Sequence, residues 1–236
     1  LVVALAQVGG WAALWSQQPN LFRMARAEGV NTFVAGWYIP YCRVFAADLA
    51  DCSWQSFIAA RPQSVLASLS SHGSVFWKSV PGLNRLSIFV GWQVPPELRL
   101  HRENYVAVQA RGLQGVRDVS YRLVFLHYPV PHLSANDLGD RTYNQVLADR
   151  ALGELRKAME DSRTWTNSAV IVLSDHGSRV LPGERHPILM VKPPSSSLSI
   201  GVATEVSLVR VFDLVLGLLR GRVQTPQDVV AVVSGQ

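Results

Sequence analysis

Residues 169–174, AVIVLS, form a nearly unbroken β-branched and aliphatic run. It follows "RTYNQVLADRALGELRKAMED" (141–161), where Tyr143, Val146, Leu147, Ala151, Leu155 and Met159 recur at helical spacings of three and four. A strand this apolar must be covered on both faces, and the long helix before it supplies one cover. The same alternation recurs along the chain. "QPNLFRMARAEG" (18–29) reads as a helix, with Pro19 in its first turn and Gly29 at its end. "VNTFVAGWY" (30–38) comes next as a strand, which makes the αβ half of a βαβ unit. Residues 102–118 read as a helix weakened by Gly112, 121–132 as a strand running into a proline-rich loop, 186–194 as a strand, and 205–221 as a helix closed by Gly221. Residues 43–100 are less definite: "WQSFIAARPQSVLASL" (54–69) has helical character, and Pro81, Gly82, Pro95 and Pro96 mark connections. The expected fold is α/β, a mostly parallel sheet with helices on both faces and with Val124 and Val172 in central strands.

At 236 residues, 48% hydrophobic and 17% charged, the chain is long and apolar enough for one large domain with a real core. Its net charge of +5 is scattered, without the basic cluster of a nucleic-acid surface, so mild attraction for anions is expected and nucleic acid is not. No stretch reaches the ~20 apolar residues of a membrane span. Residues 1–17 are apolar but interrupted by Gln7, Gly9 and Gly10, and lack the basic start of a signal peptide. Together with a first residue, Leu1, that is not Met, they read as a lead-in, the whole being an N-terminally truncated piece with its core over 18–230. Cys42 and Cys52 stand as either two reduced buried thiols or a disulfide in an exported domain.

In a parallel α/β sheet the site lies at the carboxyl ends of the strands. One such end carries Asp175 and His176, then Gly177, which permits the bend that could turn both side chains toward one metal ion. The plainer alternative is an Asp that caps the next helix and a His in a turn. A second end, "FLHYPVPH", carries His127 and His132, two imidazoles able to contact an anion or an ion. A third cluster, Glu184, Arg185 and His186, precedes the following strand. His72 and His101 have no such setting and read as surface or packing residues.

The succession "LVFLHYPVPH", "YNQVLADRALGELRKAMED", "SAVIVLSDHGSR", "RHPILMVKPP" resembles the sulfatase-like branch of the alkaline phosphatase superfamily, which includes sulfatases, phosphoethanolamine transferases and lipoteichoic acid synthases. "GWYIPYCRV" (36–44) is similar to the corresponding segment of bacterial membrane-anchored members. The resemblance spans most of 18–230. It implies the three-layer sandwich of that superfamily and a divalent metal (zinc, calcium or manganese) held by Asp175 and His176. It places His132 against the sulfate or phosphate with His127 beside it, and His186 at the mouth of the site. Arg179 and Arg185 become further substrate contacts, and Asp149 lies on the inner face of the long helix as a supporting or structural residue. It also implies an anionic sulfate or phosphate ester substrate, an extracytoplasmic location in a membrane-anchored parent, and cysteines close enough to bridge.

The family needs, before the segment similar to 18 onward, an acidic strand end and a Thr, Ser or Cys nucleophile at a helix start. Residues 1–17 contain no Asp, Glu, Thr or Cys, and neither Cys42 nor Cys52 lies in a Cys-x-Pro-x-Arg pattern. The chain is therefore expected to hold half of a metal site and to be inactive by itself. Two alternatives stand beside this reading: a non-catalytic member that binds an anion or a partner, and another metal-dependent α/β hydrolase or mutase.

Overall fold

The structure, a computed structural model, describes residues 5–8, 11–14, 18–56, 96–131, 141–177, 187–198, 200–202 and 206–235. In chain order its elements are β1 (Leu5–Val8), β2 (Trp11–Leu14), α1 (Leu21–Ala27), β3 (Thr32–Trp37), α2 (Tyr41–Val44), a single 3₁₀ turn (Ala46–Asp48), β4 (Asp51–Gln55), α3 (Pro96–Arg117), β5 (Leu123–His127), α4 (Arg141–Asp161), β6 (Val170–Leu173), β7 (Leu189–Lys192), α5 (Arg210–Leu219) and α6 (Pro226–Ser234). The fold is mixed α/β.

A three-stranded sheet in the order β4-β3-β5, parallel throughout, forms its centre. Every residue of β3 is buried, so β3 is the middle strand in composition as well as in position. Side chains alternate across it. Val34 joins Phe22 of α1 and Tyr41, Val44 and Phe45 of the α2 region on one face. Phe33, Ala35 and Trp37 meet Val108 of α3 on the other. Helix α1 begins where the Asn20 side chain accepts the Arg23 N–H at 3.0 Å, and Gly29, at φ +70°, turns the chain into β3. Helix α3 lies close to the sheet because Gly115 presents no side chain to Phe33. Cys42 of α2 is disulfide-bonded to Cys52 of β4, with Cα atoms 5.5 Å apart, which decides between the two readings of the cysteines.

Helix α4 packs on α3. Tyr105 of α3 donates to the Leu147 carbonyl at 3.1 Å, and buried Gln109 donates to Glu154 at 2.8 Å while accepting from Tyr128 at 2.5 Å. A second core surrounds Leu214 of α5, where Val223, Val229 and Val233 meet Ile171, Leu189 and Val191 of β6 and β7. Helix α6 starts with a capping box between Thr225 and Asp228, Pro226 sitting just inside it. Arg220, just past α5, pairs with Glu28 behind α1 at 2.6 Å.

Several expectations are corrected. Strand β6 pairs antiparallel with β7, in a two-stranded sheet of its own, so Val172 is not in a central parallel strand. A parallel partner would need a crossover connection, usually a helix, which Gly177, Pro182, Gly183 and Pro187 in the sequence disfavour. Val124 flanks the middle strand and is half-buried. In α4 the inward stripe is Asn144, Leu147, Ala148, Ala151, Leu155 and Ala158; Tyr143, Val146 and Asp149 are exposed. Strand β4, helix α6 and the β1–β2 hairpin were not foreseen. Trp54 and Gln55 belong to β4 rather than to a helix; the rest of 57–95, with His72, lies outside the described residues.

Glu154 makes the α3–α4 contact sensitive to acid. Its bonds from Arg150, and then Gln109, hold the carboxyl below its ordinary value of 4.5. The stabilisation this brings is fully present above that value and is lost as pH falls through the lowered one. Urea midpoints measured from about pH 6 to about pH 3 should therefore fall less steeply for Glu154→Gln than for the unaltered chain. Parallel curves would mean the carboxylate contributes nothing.

Candidate functional site

The carboxyl ends of the parallel strands gather the chemistry. His127 closes β5, and its register partner on β3 is Gly36. Tyr41, the first residue of α2, reaches across β3, and its hydroxyl lies 2.9 Å from His127 Nδ1. The two rings meet edge to face at 5.9 Å. Trp37, the last residue of β3, is 6.1 Å from the His127 ring and 5.8 Å from that of His101 on α3. On the far side, Asn104 of α3, nearly fully buried, donates to the Ser56 carbonyl just past β4 at 3.1 Å and ties the helix to this edge. Tyr38, immediately after β3, is exposed and has a left-handed backbone at φ +66°, a conformation that costs a non-glycine residue free energy.

The end of β6 carries Asp175 and His176. The Tyr41 phenol is pushed well above its ordinary pKa, chiefly by burial and then by the carboxylate charge of Asp175. Asp175 is 81% exposed on its side chain, and its Oδ1 lies 3.9 Å from His176 Nε2. His176 Nδ1 is 2.7 Å from the Gly177 carbonyl oxygen, where it can donate. That bond directs Nε2, the other ring nitrogen, to the chemistry of the site.

This arrangement fits half of a metal centre. Two ligands at ordinary zinc distances stand about 3.3–3.5 Å apart at a tetrahedral angle, and the 3.9 Å between Asp175 Oδ1 and His176 Nε2 needs only a small side-chain adjustment. The imidazole held by a backbone carbonyl is the usual support for a ligand histidine. Among the described residues no group of three His, Cys, Asp or Glu side chains assembles. His132, Arg179, Arg185 and His186 lie outside the described residues.

Sequence reasoning missed Tyr41, Trp37 and His101. "GWYIPY" offered aromatic residues directly after a strand, but nothing in it told that Tyr41 would cross to the neighbouring strand. A groove of about 410 Å³ between α5 and α6, lined by Asp213, Arg220, Arg222 and Asp228, is unconnected with this edge. It sits by the amino ends of the strands, where Arg122, just before β5, donates to the Leu219 carbonyl. Arg220 there is engaged with Glu28, and Asp228 caps α6. Comparison with protein-family models, with curated proteins and with solved structures gives no match.

Proposed function

We propose that this chain carries part of the active site of a sulfatase-like metalloenzyme that hydrolyses or transfers sulfate or phosphate esters, on the three-layer sandwich of the alkaline phosphatase superfamily. The observation that carries the reading is the Asp175–His176 pair at the end of β6, an oxygen and a nitrogen 3.9 Å apart with the imidazole held by the Gly177 carbonyl. Asp175 and His176 are the residues that would hold the divalent cation, and a nitrogen ligand favours zinc or manganese over calcium. When bound, the cation supplies Lewis acidity to the ester and to its attacking group. His127 would face a non-bridging oxygen of the ester, and His132, Arg179, Arg185 and His186 would complete its surroundings. The nucleophile would come from outside the described residues. An extracytoplasmic setting in a membrane-anchored parent belongs to the same proposal; the disulfide agrees with an oxidising compartment.

Zinc and manganese titrations of the purified chain test it. Weak binding is expected, with a further loss of about tenfold or more for Asp175→Asn and for His176→Gln. Equal affinity in both variants would remove these residues from the metal site. With either metal, aryl phosphate and aryl sulfate should turn over at background; turnover abolished by Asp175→Ala would show a complete site in this chain. A non-catalytic domain of the same fold would instead bind inorganic phosphate with no dependence on added metal.

A further inference from the structure

We infer that Tyr41 is a positioning residue for His127, its hydroxyl setting the orientation and tautomer of the imidazole at the carboxyl edge, with Gly36 as the slot that admits it. Tyr41 belongs to α2, whereas His127 belongs to β5, with β3 between them. The Tyr41 ring must therefore cross β3, and it does so over Gly36, the residue paired with His127. A Cβ at Gly36 would come within 2.6 Å of Tyr41 Cδ2 and Cε2. Any larger residue there pushes the ring off the strand. From the other side the ring is wedged by Phe125 at 5.4 Å and Phe22 at 6.3 Å. Tyr41 is only 6% exposed, so the hydroxyl has little room to wander.

In this role the phenol is the donor and His127 Nδ1 the acceptor. An ordinary phenol is protonated at neutral pH, and burial, then the charge of Asp175, raises the Tyr41 value further. A protonated phenol donating to Nδ1 selects the imidazole tautomer that carries its proton on Nε2. Resting on the proposed function, that N–H is the donor the site would present to an oxygen of a sulfate or phosphate ester. The role of Tyr41 itself rests only on the geometry around it.

The test reads the histidine directly. Long-range ¹⁵N–¹H correlation spectra of the full chain at about pH 8, where an ordinary imidazole is neutral, should show His127 as the single Nε2–H tautomer. Tyr41→Phe keeps the ring and removes the hydroxyl, and should give a mixture of the two neutral tautomers. Phe45→Leu thins the same cluster without touching the hydroxyl; it should lower the thermal midpoint and leave the tautomer unchanged. A single Nε2–H tautomer in Tyr41→Phe overturns the inference, as does an equal change in Phe45→Leu. A titration with inorganic phosphate then separates the two levels. His127 signals should move with phosphate, and Tyr41→Phe should need about tenfold more of it. If the tautomer responds to Tyr41→Phe but His127 ignores phosphate, the positioning role stands and the ester-binding reading falls.

Discussion

Replacing Phe33 with alanine is expected to cost about 3–5 kcal/mol, the range for a buried aromatic whose site cannot collapse. Phe33 lies in the middle strand of the parallel sheet, 1% exposed, with the Tyr121 ring at 5.3 Å and the Arg111 guanidinium over its face at 5.1 Å. The site cannot close because the sheet on one side and α3 on the other are each held by further contacts, Ala35 and Trp37 against Val108 among them. Gly115 of α3 sharpens the argument, since a Cβ there would lie 2.6 Å from Phe33 Cδ1. Gly115→Ala alone should cost about 1–3 kcal/mol through overpacking. Combined with Phe33→Leu, which clears the ring, it should cost clearly less than the sum of the two single changes. Urea unfolding of the four proteins checks this; costs that add to within about 0.5 kcal/mol would mean that the helix and strand do not meet at this point.

The second large effect concerns the disulfide. Cys42 and Cys52 are separated by ten positions, and opening a loop of that size costs about 2–3 kcal/mol on the chain-entropy account. For a chain this long that is a fall of roughly 5–10 °C in thermal midpoint. Helix α2 is only four residues long, too short to persist on its own. It is held by the bridge and by the burial of Tyr41 and Val44. Cys42→Ser combined with Cys52→Ser should show the lower midpoint, and the unaltered chain in a dithiol reductant should match it. An unchanged midpoint under reduction would show that burial alone anchors α2.

Much of the α/β character could be read from local pattern. The Asn20 cap, the buried run 32–37 and Gly29 at its left-handed turn each act within a few residues, and α1 and β3 form where those signals lie. Strand β4 was less legible, because the polar–apolar alternation of Asp51–Gln55 covers only five residues, too short a signal alone, and its pairing with β3 makes it a strand. The inward stripe of α4 was displaced for a related reason. Several apolar stripes exist on that helix, and packing against Tyr105 and Val130 chose the one containing Ala151.

The candidate site divides in the same way. The residues 174–177 alone place Asp175 and His176 at the end of an apolar strand, because a strand so apolar must stop where polar side chains begin. They also place a glycine where the chain can bend. Which strand pairs with β6, and in which direction, is not written in those residues, and only the tertiary structure shows it to be antiparallel to β7. The Tyr41–His127 bond joins residues 86 positions apart. No local pattern encodes such a meeting. It arises because β3 and β5 lie parallel in one register, so that Gly36 opens beside His127 and the ring from α2 can cross between them.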